Sequence, residues 1–336
     1  MNERELMLFT RQLATLLKTG LPMLQALDIL ARGNHWSPLV NRLLADMRRD
    51  VESGRPLSAT LAKYPRQIDA LYLHLVRAGE HGGALATILE RIADYKERMW
   101  ALKKRIKSAF YAPAFIVIIS FIVIAILLAF HPALNADAAR AADAPLFTRA
   151  MLFLGRHWLL ILALPIGAVW GLFQAWKNSP DFRQRVDRVL LQTPPFGKLV
   201  RMSALARWSR TLATLYAAGV PLIDALERVS HATGNPVYDE ASRRVWLAVE
   251  DGASLTEAVR ASRLFPVATQ QMVATGESTG ALDTTLTKLA DYYEEEVANT
   301  TRALTSLLTP IISVVMGIIV GILYIGTFSL GMKMDF

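Results

Sequence analysis

Three long runs without a charged residue interrupt an otherwise polar chain. They cover residues 110–130, 158–176 and 303–332. As helices that rise about 1.5 Å per residue, runs of this length match a hydrocarbon core of roughly 30 Å. A buried core helix is the alternative, but such helices rarely stay free of charge for so long. The pattern therefore predicts three transmembrane helices, over 109–131, 157–176 and 303–332.

The polar remainder has the periodicity of amphipathic helices. Phe9, Leu13 and Leu16 fall on one helical face, and the glycine at position 20 stops that helix. Alternating strand patterns bounded by hairpin turns are missing from the sequence. The segments 1–108 and 177–302 are therefore predicted to form small helical bundles.

The two bundles share an internal repeat. Matching segments occur in the same order in both halves, with a spacing that drifts by only a few residues. The matches join residues 11–16 with 210–215, 20–22 with 219–221, 52–54 with 250–252, 79–85 with 276–282, and 93–95 with 290–292. The predicted fold class is all-α, with two homologous cytoplasmic helical bundles and three transmembrane helices.

Lysine and arginine set the orientation of this arrangement. They are dense just before the first predicted span and just after the second, and sparse in the connecting segment 132–156. The positive-inside rule places both bundles in the cytoplasm, with the loop 132–156 and the tail 333–336 on the periplasmic side. The net charge of +8 over 336 residues is largely explained by this topology, which argues against binding to nucleic acid. Basic residues 103–107 are expected to anchor the first span to anionic lipids.

The sequence offers no recognisable catalytic chemistry. It has no cysteine, and it contains no phosphate-binding P-loop, no HExxH metal motif and no nucleophile elbow. The predicted spans carry no ionisable residue in their centres, which argues against a lone channel or a proton-coupled carrier. We therefore expect a protein that is not an enzyme and that needs no cofactor or metal.

A Gly-Glu-x-x-Gly turn is the most distinctive polar feature, and it occurs once in each bundle. The residues are Gly79, Glu80 and Gly83, and Gly276, Glu277 and Gly280. One interpretation is a carboxylate presented at a helix corner to a partner subunit or a cation. The other is a structural turn whose carboxylate stabilises the N-terminus of the next helix.

The duplicated motifs resemble those of the type II secretion system F protein family. The resemblance covers nearly the whole chain and rests on the paired Arg-x-Leu-Ala-Thr-Leu segments, both Gly-Glu-x-x-Gly-x-Leu turns, and Tyr111-x-Pro113. It implies a non-enzymatic, multi-pass protein of the bacterial inner membrane, with its N-terminus in the cytoplasm and its C-terminus in the periplasm. The implied partners are a cytoplasmic hexameric assembly ATPase, pilin or pseudopilin subunits, other inner-membrane platform proteins, further copies of this chain, and membrane lipids. A membrane transport component of an oligomeric export complex is the competing hypothesis.

Overall fold

The computed structural model describes residues 2–33, 36–129 and 196–331. Over these residues the chain forms twelve α-helices and no β-strand, which confirms the all-α prediction for this part of the chain. The predicted loop 132–156, the second predicted span 157–176, residues 177–195 and the tail 333–336 lie outside the described residues.

The first bundle consists of five helices followed by a long sixth one. They are α1 (Glu3–Lys18), α2 (Met23–Gly33), α3 (Pro38–Glu52), α4 (Leu57–Leu61), α5 (Ala70–His81) and α6 (Leu85–Ala129). In α1 the buried side chains of Leu6, Phe9 and Leu13 recur every three or four residues, so one face of the helix points into the core.

The second bundle repeats this order. Its helices are α7 (Phe196–Ala217), α8 (Leu222–Val229), α9 (Pro236–Glu250), α10 (Leu255–Ala261), α11 (Val267–Thr279) and α12 (Leu282–Gly331). Both α3 and α9 begin with a proline, which suits the first helical position because no intrahelical partner exists there for a backbone N–H. Asn235 caps α9, since its side chain accepts a hydrogen bond of 3.0 Å from the backbone N–H of Val237.

Consecutive helices pack against each other in the same sequence in both bundles. The pairs α1–α2, α2–α3, α3–α4 and α4–α5 recur as α7–α8, α8–α9, α9–α10 and α10–α11. Equivalent positions also fill the two cores: Phe9 and Leu13 in the first bundle correspond to Trp208 and Leu212 in the second, and all four are fully buried. The internal repeat in the sequence is therefore a repeat of tertiary structure.

The chain divides into two compact units. Residues 1–105 and 196–298 make up one unit, which contains both helical bundles, and residues 106–195 and 299–336 make up the other. Helices α6 and α12 are 45 and 50 residues long, with Pro310 inside the latter. Counted over the residues whose side chains the structure describes, no helix is long and apolar enough to cross a membrane.

Candidate functional site

Glu80, one of the two candidate carboxylates, lies in the last turn of α5 and points at another helix. Its two carboxylate oxygens accept hydrogen bonds of 3.2 and 3.3 Å from the backbone N–H of Ser58, in the first turn of α4. A carboxylate at this end of a helix satisfies a backbone N–H that has no intrahelical partner and complements the helix dipole.

Glu277 makes the equivalent contact in the second bundle, with shorter bonds. Its carboxylate accepts from the backbone N–H groups of Leu255 at 2.8 Å and Thr256 at 2.9 Å, and from the Thr256 hydroxyl at 2.5 Å. Partial burial raises the pKa of the Glu277 carboxyl, but the hydrogen bonds from Thr256 and Leu255 outweigh it. The pKa of Glu277 is therefore held below its usual range.

The first glycine of each turn lets two helices approach closely. A Cβ added at Gly79 would lie 3.0 Å from the Cβ of Ile88 on α6, and one added at Gly276 would lie 3.0 Å from the Cβ of Thr285 on α12. Such a distance is tighter than nine in ten real Cβ contacts, so a larger residue would require the neighbouring side chain or helix to shift by a few tenths of an ångström. Glycine is needed here for space.

The last glycine of each turn is needed for its backbone conformation. Gly83 has φ +64° and Gly280 has φ +67°, in the left-handed region that other residues avoid. These residues end α5 and α11 and let the chain turn directly into α6 and α12.

The two glycines and the glutamate of each Gly-Glu-x-x-Gly turn thus help to hold three helices together. The helix that receives the carboxylate is the short one before the turn, α4 or α10, and not the following helix that the sequence suggested. Among the described residues, no group of three or more His, Asp or Glu side chains is placed to hold a metal ion.

A second duplicated cluster was not predicted from the sequence. Arg11 on α1 donates from Nε to Glu97 at 2.6 Å and also pairs with Asp94, both on α6. In the second bundle Arg210 on α7 makes the same contacts, with Glu294 at 2.7 Å and with Asp291, both on α12. The signal was present in the sequence, because the arginine and the aspartate both belong to matched repeat segments.

The two arginine clusters differ in their surroundings. The Arg210 side chain is only 6% exposed and that of Glu294 15%, whereas Arg11 and Glu97 are 30% and 41% exposed. The second cluster is also contacted by the first bundle, since Arg98 on α6 approaches both Asp291 and Glu294.

A hydroxyl contact adds to this junction between the bundles. The phenol oxygen of Tyr95 on α6 lies 3.3 Å from the hydroxyl oxygen of Thr211 on α7, and Thr211 is buried. Burial raises the pKa of Tyr95 to about 12, so its phenol stays protonated at neutral pH. The repeat counterpart of Tyr95, Tyr292, is 47% exposed. One face of the first bundle therefore contacts the second bundle, while the equivalent face of the second bundle is open around Tyr292.

Comparison with known proteins gives a consistent picture. The family model for type II secretion system (T2SS) protein F matches the chain twice, over residues 9–131 and 208–330. The type IV pilus assembly protein PilC of Pseudomonas aeruginosa is 40% identical over 310 residues, which cover 90% of this chain and 83% of the relative. The type IV pilus assembly protein TapC of Aeromonas hydrophila is 38% identical over 310 residues, which cover 90% of this chain and 75% of the relative. The type II secretion system protein F of Xanthomonas campestris is 35% identical over 306 residues, which cover 89% of this chain and 75% of the relative. The chain therefore belongs to the type II secretion system protein F family and carries two copies of the family's domain.

Proposed function

We propose that this chain is a platform protein of the bacterial inner membrane that takes part in type IV pilus assembly or type II protein secretion. The two family domains and the names of relatives that are 31–40% identical support this role. In this proposal the protein catalyses no reaction and binds no cofactor. Its partners are a cytoplasmic assembly ATPase, pilin or pseudopilin subunits, other platform proteins, membrane lipids and further copies of the chain.

The proposed topology has three membrane spans, over 109–131, 157–176 and 303–332. The bundles 1–108 and 177–302 lie in the cytoplasm, and the loop 132–156 and the tail 333–336 lie in the periplasm. The support is the uneven distribution of lysine and arginine and the length of the charge-free runs.

The proposed mechanism is mechanical, and one observation carries it. Helices α6 and α12 each begin inside a bundle and continue without a break through a charge-free run, to Ala129 and Gly331. A long helix transmits force because backbone hydrogen bonds couple one turn to the next, although Pro310 removes one of these bonds from α12. In this mechanism the ATPase displaces the bundles, and α6 and α12 pass the displacement to a pilin helix in the bilayer.

The contacts between the bundles support a joint displacement. Arg98 with Asp291, and Tyr95 with Thr211, link α6 of the first bundle to α12 and α7 of the second. A partner that pulls on either bundle would therefore move both helices that enter the predicted spans. We propose that Glu80 and Glu277 serve this rigidity as structural turns, with no partner bound to them.

Topology reporters and a complementation assay in the host test this proposal. A reporter that is active only in the periplasm should be active when fused within 138–144 and silent near Gly54 or Gly252. Deletion of the gene should abolish surface pili or the secreted substrate, and the full chain should restore them. The opposite reporter pattern, or unchanged pili and secretion after deletion, would contradict it. Ion flux through vesicles that contain only this chain would favour the transport hypothesis instead.

A further inference from the structure

A cavity of about 500 Å³ lies where the two bundles meet. The first bundle contributes residues from the start of α1, from the segment before α5 and from α6, and the second contributes Arg207 and Ala232. Its volume is in the range of small-molecule sites, which typically span about 300–1,000 Å³.

The charges on the cavity wall do not balance. Two carboxylates of the wall are already neutralised, because Glu3 pairs with Lys103 at 2.6 Å and Asp69 pairs with Lys96. Two arginines of the wall, Arg66 and Arg207, form no close ion pair among the described residues, and the Asp239 carboxylate acts on Arg207 only at longer range. The wall therefore offers two guanidinium groups, one from each bundle, to an anion.

Arg207 is the more unusual of the two. Its side chain is largely buried, and its Nε has no hydrogen-bond acceptor within the described part of the chain. The guanidinium lies against Gly234, where an added Cβ would come within 2.9 Å of the Arg207 Cζ. Burial lowers the pKa of Arg207, and the Asp239 carboxylate offsets this only in part. A buried cation without a full complement of acceptors is costly unless a ligand supplies them.

The repeat does not account for Arg207. The register of the repeat places Leu8 opposite Arg207, so the equivalent helix of the first bundle carries no charge at this position. Arg207 and Arg66 come together on the wall of this cavity.

We propose that this cavity binds a small phosphate-bearing anion, which bridges the two bundles through Arg66 and Arg207. Guanidinium groups suit phosphate because their planar N–H fork can donate two parallel hydrogen bonds to its oxygens. A ligand held from both sides would stabilise the contacts of Tyr95 with Thr211 and of Arg98 with Asp291. This goes beyond the proposed platform role, because it adds a soluble effector that controls how firmly the bundles are joined.

Calorimetric titration of the full chain in detergent with inorganic pyrophosphate tests the proposal. We expect saturable binding with a Kd of about 100 μM or tighter. The variants Arg207→Gln and Arg66→Gln should each weaken binding by roughly tenfold or more. Arg201→Gln, which removes an exposed arginine from the same helix as Arg207, should leave binding unchanged.

Arg66 is exposed, so its variant keeps the test decisive if Arg207→Gln fails to fold. Titration with ADP distinguishes the source of the phosphate: tighter binding than pyrophosphate identifies a nucleotide, and equal or weaker binding identifies an inorganic polyphosphate. Absence of saturable binding of both ligands at millimolar concentration, or binding that the Arg66 variant leaves unchanged, would overturn the proposal.

Discussion

Arg98 of the first bundle donates a hydrogen bond of 2.6 Å to Asp291 of the second. Asp291 is at the same time paired with Arg210 of its own bundle, so one carboxylate joins the internal cluster of the second bundle to the neighbouring bundle. Because Arg98 and Asp291 are about half exposed, water screens their attraction, and we expect the pair alone to contribute less than about 1 kcal/mol.

Reversal of the charge at position 98 should have a larger effect than its removal. Arg98→Glu brings a carboxylate next to Asp291 and Glu294, and like charges at this distance repel. We expect faster hydrogen exchange of backbone amides in α7 near Thr211, with exchange in α1 unchanged. Arg42→Glu, which reverses an exposed charge on α3, is the matched control. Equal exchange in both variants would show that Arg98 does not hold the bundles together.

The two arginine clusters predict a graded loss of stability. Arg210→Ala leaves the largely buried carboxylate of Glu294 and the half-exposed carboxylate of Asp291 with only Arg98 to offset them, at a cost of about 3 kcal/mol. Arg11→Ala removes the same contacts from a more exposed site and should cost about 1 kcal/mol. Thermal melting of the two variants, followed by circular dichroism in detergent, measures the difference. Equal losses would mean that burial does not set the strength of these clusters.

Much of the fold is predictable from the repeat, because matched segments must fold alike. Helical periodicity and the glycine at position 20 predicted where α1 ends, and over the described residues the structure confirms that the bundles are helical. The repeat could also have predicted the pairing of Arg11 with Asp94, because both residues recur in the second half as Arg210 and Asp291.

The sequence could not reveal how the repeats differ in three dimensions. Arg98 has Glu295 at its repeat position, so only one bundle can supply the cation at the junction. The sequence also could not show which helix accepts the Glu80 carboxylate, because the contact with Ser58 joins residues that are 22 positions apart. Such contacts follow from the packing angles of helices, which a one-dimensional pattern does not encode.

A side chain at the first glycine of either turn should destabilise the bundle that contains it. Gly276→Ala brings a methyl group to about 3.0 Å from Thr285, and separating α11 from α12 should cost about 1–3 kcal/mol. Gly79→Ala should behave alike against Ile88. Gly33→Ala is the control, since an added Cβ there meets nothing within 4 Å. Melting temperatures that fall equally in all three variants would refute the close-approach explanation.

The turn carboxylates should contribute to stability and leave assembly intact. Glu277→Ala removes three hydrogen bonds from the N-terminus of α10 and should cost about 1–2 kcal/mol. Glu80→Ala should cost less, because its bonds to Ser58 are longer. Both variants should support pilus assembly or secretion at the parental level once protein amounts are matched. Loss of function at normal abundance would instead identify the carboxylates as partner contacts.

Asp50 should make the first bundle sensitive to acid. This buried carboxylate on α3 accepts hydrogen bonds from Lys63 at 2.5 Å and Thr60 at 2.7 Å, and it pairs with Arg55 at 2.9 Å. The bond from Lys63, followed by that from Thr60, lowers the pKa of Asp50 in the folded protein. The second bundle has Ala248 at this repeat position and therefore lacks the network.

The direction of the pH effect follows from the lowered pKa. A carboxyl whose pKa is lower in the folded state stabilises that state above its unfolded pKa of about 3.9, and the contribution is lost as the pH falls through the folded value. The melting temperature of the parent protein should therefore fall more steeply below about pH 4 than that of Asp50→Asn, which carries no titratable group at this position. At pH 7 Asp50→Asn should be less stable than the parent, because Lys63 and Arg55 lose a charged partner. Parallel melting curves for the two proteins across this pH range would show that Asp50 does not control the acid response.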